Sequence, residues 1–140
     1  MEQNSRIVQK LLQPGALIDK TGASYNPTNL QSKKVFVLYF SAHWCPPCRN
    51  FTPILKDAYD EYLEESSDIE IVFVSSDRSL EDMQEYMKTS HGSWLALPYN
   101  SELGASLKSR FNIQGIPALI VCKRDGQVIT KDGRGEIQRA

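Results

Sequence analysis

A chain of 140 residues and 15.8 kDa has room for one packed core and is short for two. Its 41% hydrophobic, 24% charged and 9% aromatic residues are the balance of a globular protein and argue against disorder. Sixteen basic against seventeen acidic side chains leave a formal charge of −1, with no basic excess to attract nucleic acid or an anionic membrane. The apolar runs, such as Val35 to Phe40, fall far below the ~20 residues that cross a bilayer. The start, Met-Glu-Gln-Asn-Ser, lacks the charged-then-apolar layout of a secretion signal, so a reducing cytoplasm, or the nucleus, is the expected compartment. The expected unit is a single domain over residues 1–140.

In chain order, the first 34 residues are polar and punctuated by Pro14-Gly15, Thr21-Gly22 and Asn26-Pro27. Within them Ala16–Asp19 and Ala23–Tyr25 read as a short N-terminal hairpin. Val35 to Phe40 is a run of strand formers, as expected of a strand buried on both faces of a helix-covered sheet. The period then changes: Phe51, Ile54, Leu55, Ala58, Tyr59, Tyr62 and Leu63 form a helical apolar stripe, with Asp57, Asp60, Glu61, Glu64 and Glu65 on the solvated side. Ile69 to Val74 is a second buried strand and completes a right-handed βαβ unit. Ser79 offers an N-cap to a helix whose stripe is Leu80, Met83 and Met87. A loop carrying Trp94 and Pro98 follows, then a short helix with Leu103, Leu107 and Phe111. Ala118 to Cys122 is a third buried strand, joined through Asp125-Gly126 to Val128–Thr130 as an antiparallel hairpin. The sheet is therefore mixed and the fold α/β. The ten residues after Thr130 hardly supply a covering helix, so the C-terminal helix is expected to be truncated.

Two of the three cysteines form Cys45-Pro46-Pro47-Cys48, a spacing that suits a redox dithiol or half of a zinc site. Structural zinc wants four ligands, usually in two pairs. Cys122, His43 and His91 offer no second pair, so zinc is the weaker reading and no metal is expected. The dithiol falls just after the first central strand and at the start of a helix. Parallel sheets place their sites at the carboxyl ends of strands, and a helix N-terminus stabilises an anion. A thiolate is thus favoured at Cys45, which makes it the attacking sulfur and leaves Cys48, one turn further in, to resolve the mixed disulfide. Pro46 and Pro47 are tolerated in the first helical turn, where their missing N–H groups are orphaned anyway. Trp44 reads equally as a docking surface beside the sulfur and as a partly buried core residue. Pro53 should kink its helix unless its neighbours compensate. Cys122, in an apolar strand, reads as a buried inert thiol, His43 as an exposed side chain pointing elsewhere, and His91 as a loop residue.

Phe-Ser-Ala-His-Trp-Cys-Pro-Pro-Cys-Arg-Asn-Phe-Thr-Pro (40–53), Ser-Trp-Leu-Ala-Leu-Pro-Tyr (93–99), Gly-Ile-Pro-Ala-Leu-Ile-Val (115–121) and Asp-Gly-Arg-Gly (132–135) resemble the tryparedoxin and nucleoredoxin branch of the thioredoxin superfamily. The resemblance runs from about Leu17 onward. It implies a thioredoxin fold and thiol–disulfide exchange, with Cys45 as nucleophile and Cys48 as resolver, acting on disulfide-containing client proteins with electrons from an upstream thiol or reductase. No cofactor beyond the Cys45–Cys48 disulfide and no partner subunit is implied. It also implies a cis Ile116-Pro117 bond whose backbone binds an extended substrate segment, and an Arg134 at the mouth of the site that steers anionic substrates. Trp94 matches a family position and reads as packing. Where thioredoxins carry a buried aspartate six residues before the nucleophile, this chain has Tyr39, so the proton of Cys48 needs another route. Ser76-Asp77 lacks the tryptophan that tryparedoxins place before the equivalent acid, so recognition of a trypanothione-type reductant is not expected. The competing reading is a redox-gated binding protein in which the dithiol alters the surface around Trp44 with little turnover.

Overall fold

The computed structural model describes residues 9–26, 30, 33–63 and 68–139. Expectations resting on Met1 to Ser5, Pro27, Glu64, Glu65 and Ala140, and on the side chains of Tyr62 and Leu63, lie outside those residues. The elements are β1 (Val35–Ser41), α1 (Pro46–Ala58) with a π-helical continuation over Tyr59–Leu63, and β2 (Ile69–Ser75). They continue with α2 (Leu80–Ser90), β3 (Leu95–Ala96), α3 (Glu102–Arg110), β4 (Ala118–Lys123), β5 (Val128–Thr130) and α4 (Gly133–Arg139).

The sheet order is β3-β2-β1-β4-β5. β1 runs parallel to β2, and β2 to β3, whereas β4 is antiparallel to both β1 and β5. Because side chains alternate along a strand, the central strands feed two cores. Phe36, Leu38 and Phe40 join Val72, Val74, Ile120 and Cys122 on the face that α3 and the N-terminal leucines cover. Val37 and Tyr39 join Ile71, Phe73 and Leu119 on the face covered by α1 and α2. Burial on both sides explains why these strands are continuously apolar rather than alternating.

The N-terminal hairpin is reduced to an isolated bridge, Ile18 to Ser24, and Ile18 also bridges Ala96. That second contact uses β3, a strand hidden within the expected loop because two residues give no readable period. Leu80, expected on the buried stripe of α2, is exposed; Met83, Tyr86 and Met87 form that stripe instead. Ser79 caps the helix as expected, its hydroxyl accepting the Asp82 N–H at 3.1 Å. Gly126, at φ +91°, closes the β4–β5 hairpin. The C-terminal helix is short, as expected: α4 forms within seven residues, Gly133–Arg139. A Cβ on Gly133 would come within 2.8 Å of the Leu119 carbonyl, so the absence of a side chain lets this short helix lie directly against β4. α1 runs without a break through Pro53, and among the described residues no helix is long and apolar enough to cross a membrane.

Candidate active site

β1 ends at Ser41, and the chain turns through Ala42, His43 and Trp44 before α1 begins. Cys45 is the N-cap of α1, with extended backbone at φ −92° and ψ 111°, and Pro46 and Pro47 occupy the first two helical positions. Both prolines are exposed. With their donors missing, the first N–H of the helix free to point forward is that of Cys48, and it donates to Cys45 Sγ at 3.3 Å. The sulfur of Cys45 therefore replaces the oxygen of an ordinary N-cap. It lies 3.7 Å from the Ile116 carbonyl, and the Ile116–Pro117 bond is cis.

The two sulfurs sit in different surroundings. Cys45 keeps 4% of its surface, whereas Cys48 keeps none. Burial, followed by its hydrogen bond with Cys45, pushes the Cys48 thiol above the usual range, and donors at Ser41 and Ala42 pull the other way. Cys122 is buried in the opposite core and pushed up to about 11, chiefly by burial, in keeping with an inert thiol. Cys45, Cys48 and Cys122 are all free thiols in the structure.

The loop before Cys45 is pinned from β2. Asp77, itself buried, accepts the His43 N–H at 2.7 Å and the Ser75 hydroxyl at 2.7 Å. Trp44 is 45% exposed, its indole N–H donates to the Ser76 carbonyl at 2.9 Å, and the Arg78 guanidinium lies 4.8 Å from its ring. Trp44 is thus a fixed exposed ring, not a core residue. It forms one wall of an open groove of about 410 Å³ whose other walls are Cys45, Lys108, Gln114 and Ile116. Lys108 donates to the Ser75 carbonyl at 2.9 Å; burial pulls its amine below the usual range, and the charge of Asp77 opposes that. On the far side Arg134 donates to the Pro117 carbonyl at 3.2 Å and lies 5.9 Å from the Phe51 ring centroid. Trp44, Pro46, Pro47, Ile116, Pro117 and Arg134, scattered over ninety positions, are thereby gathered around one cysteine pair.

Sequence reasoning missed the groups behind that pair. The Thr52 hydroxyl donates to the Cys48 carbonyl at 2.8 Å and contacts the hydroxyls of Tyr39, at 2.6 Å, and Tyr86. Tyr86 OH is 2.6 Å from Ser41 Oγ. Burial raises both tyrosines above the ordinary phenol range. Two signals were available: Ser41 lies two residues beyond Tyr39, on the same face of β1, and Thr52 lies one helical turn beyond Cys48. Tyr86 had no local signal. His43 is corrected from an outward-pointing residue to one whose ring stacks on Tyr86, 5.3 Å between centroids. His91, read as a loop residue, is buried; its Nδ1 accepts the Trp94 indole N–H at 3.2 Å. Trp94 is buried, as its packing role requires. Among the described residues no cluster of three or more metal-ligating side chains is present.

A strand-to-helix turn that carries a cysteine pair, set in a mixed sheet opposite a cis-proline loop, defines a thioredoxin-type protein. The family model described as thioredoxin-like matches residues 32–128, and the chain belongs to that family. It is similar to the nucleoredoxin of Mus musculus, at 45% identity over 124 residues that make up 88% of this chain and 28% of that protein. Among solved structures it is similar to a thioredoxin from Wuchereria bancrofti (48% identity, TM-score 0.85, covering 93% of this chain and 90% of that one). It is also similar to tryparedoxin I from Crithidia fasciculata (33% identity, TM-score 0.82, covering 95% and 90%). Within the family it therefore falls in the tryparedoxin and nucleoredoxin branch. The chain spans little more than a quarter of the length of the nucleoredoxin it matches.

Proposed function

We propose that the chain is a protein-disulfide reductase in which Cys45 attacks and Cys48 resolves. The observation that carries this reading is the asymmetry of the pair: Cys45 caps α1, receives the Cys48 N–H and is the one with exposed surface, while Cys48 is sealed behind it. In the first step the Cys45 thiolate forms a bond to one client sulfur, and the client S–S bond breaks, its electron pair leaving on the other sulfur. In the second, Cys48 bonds to Cys45, the mixed disulfide breaks, and the proton of Cys48 ends on the departing client thiolate. An external thiol or reductase returns the Cys45–Cys48 disulfide to the dithiol, so no cofactor enters.

The groove supports a reading of the client contacts. The Ile116 carbonyl beside Cys45 Sγ offers a backbone acceptor to an extended client segment, Trp44 gives the groove an apolar wall, the exposed Pro46 and Pro47 extend the apolar surface next to Cys45, and Arg134 brings a positive charge to the Pro117 side. The clients are disulfide-containing proteins met in a reducing cytoplasm or nucleus, and the chain acts as a monomer. The test is insulin reduction driven by dithiothreitol. The wild type should accelerate it, and Cys45→Ser should bring the rate to that of dithiothreitol alone; full turnover by Cys45→Ser would overturn the mechanism.

The fixed exposure of Trp44 supports one other reading, a binding protein gated by the redox state of the pair. Wild-type rates equal to those of Cys45→Ser, together with partner affinity that changes on oxidation, would select it.

A further inference from the structure

The groove beside Cys45 adjoins a second hollow. Ser76 and Lys108 line the groove and also line a cavity of about 250 Å³. That cavity lies at the carboxyl ends of the parallel strands β2 and β3, among Ser75, Pro98, Tyr99 and Ser101, where sheets of this kind receive ligands. A segment bound against Cys45 and continuing that way passes over Lys108. The Lys108 side chain reaches from the last turn of α3 to the end of β2, where one of its three protons goes to the Ser75 carbonyl at 2.9 Å. It is half-buried, and among the described residues it forms no ion pair. It is also the only charged side chain among the described residues that line the Cys45 groove. Asp77 lines the second cavity and acts on the ammonium through its charge. Its carboxylate oxygens are already taken, one by the His43 N–H and the other by the Ser75 hydroxyl, both at 2.7 Å. Asp77 therefore serves the loop before Cys45 and leaves Lys108 two protons for a ligand. A half-buried ammonium without a contact partner is poorly solvated, and a carboxylate brought into the groove supplies that partner. Arg78, 4.8 Å from the Trp44 ring, adds a second positive charge on the same side.

We propose that Lys108 sets client specificity: it receives an acidic side chain of the segment bound against Cys45, so that disulfides flanked by Asp or Glu are preferred to those flanked by neutral residues. The inference rests on the reductase reading and names the class of client for the same site. No bond forms or breaks at Lys108. It acts on how the client is held while Cys45 and Cys48 exchange sulfurs, and it lies on the side of the cysteine pair away from Arg134.

The test uses the full chain and two disulfide peptides that differ only in the residues flanking the cystine, Glu in one and Gln in the other. The ratio of kcat/KM, Glu over Gln, should be about five in the wild type at low salt and should shrink as salt rises. That ratio should persist in Lys108→Arg, fall close to unity in Lys108→Gln and invert in Lys108→Glu. Lys108→Met, which keeps the stem, gives the same reading if Lys108→Gln does not fold. A purely structural role would slow both peptides alike and leave the ratio in place. Equal rates on the two peptides in the wild type, or a preference that persists in the folded uncharged variants, would overturn the proposal. Binding to Cys45→Ser, which cannot turn over, separates this from the reductase reading. The Glu peptide should bind about fivefold tighter than the Gln peptide, and adding Lys108→Gln should erase the difference. That difference in a chain inactive on disulfides would overturn the reductase reading and keep the acidic-client site; an active chain without it would do the reverse.

Discussion

His91 shows how a residue with no chemistry of its own sets the conditions under which the protein stays folded. Its ring sits against Phe73, Tyr86 and Trp94, and its Nε2 is buried with no hydrogen-bond partner among the described residues. Burial is the main reason its pKa falls from 6.5 to about 3, with the charges of Lys20 and His43 adding to it. In the unfolded chain the ring takes up a proton below about 6.5 that the native state refuses, so stability falls as pH is lowered from there towards 3. The expected excess slope is about 1.4 kcal/mol per pH unit. Denaturant unfolding between pH 6 and pH 4 should show that slope in the wild type and lose it in His91→Gln, which keeps an acceptor for Trp94. Equal slopes would mean that the ring is protonated in the folded state. The sequence around His91 holds only a neighbouring glycine and a tryptophan three residues on, and burial of a histidine by distant aromatics leaves no local pattern.

Among the elements, α4 is the most exposed to a single change. It has seven residues, too few to be stable alone, and it depends on close contact with β4 through Gly133. Gly133→Ala places a methyl group within 2.8 Å of a main-chain oxygen that cannot swing aside. The expected loss is about 1–3 kcal/mol, measured by chemical denaturation, together with displacement of Arg134 from the Pro117 carbonyl and faster hydrogen exchange across the helix. Unchanged stability would show that the helix docks by another route. The Asp132-Gly133-Arg134-Gly135 motif was visible in the sequence, but its steric meaning was not, because the obstacle is the backbone of Leu119. The same division runs through the fold. Long apolar strands, the Ser79 cap and the Asp125-Gly126 turn carry local signals strong enough to read. β3 is two residues long, and the outward turn of Leu80 is decided by what α2 packs against.

Across the whole molecule, the sheet brings together segments that are far apart in sequence. β1 carries the Cys45 turn and pairs with β4, which begins at Ala118, immediately after Pro117. β2, on the other side, delivers Ser76 and Asp77 to the loop before Cys45. The cysteine pair was legible because the chemistry sits in four consecutive residues. Ser41 and Thr52 carried only a spacing from Tyr39 and Cys48, and Tyr86 carried no signal at all, because the contacts among these hydroxyls form only when the sheet and two helices close around them.

The central claim is that Cys45 captures a client sulfur and Cys48 releases it, and trapping tests it most directly. Cys48→Ser, incubated with a disulfide-containing protein and analysed by peptide mass mapping without reduction, should accumulate a mixed disulfide at Cys45 and none at Cys122. An adduct on Cys122, or no adduct on a folded variant, would contradict the account.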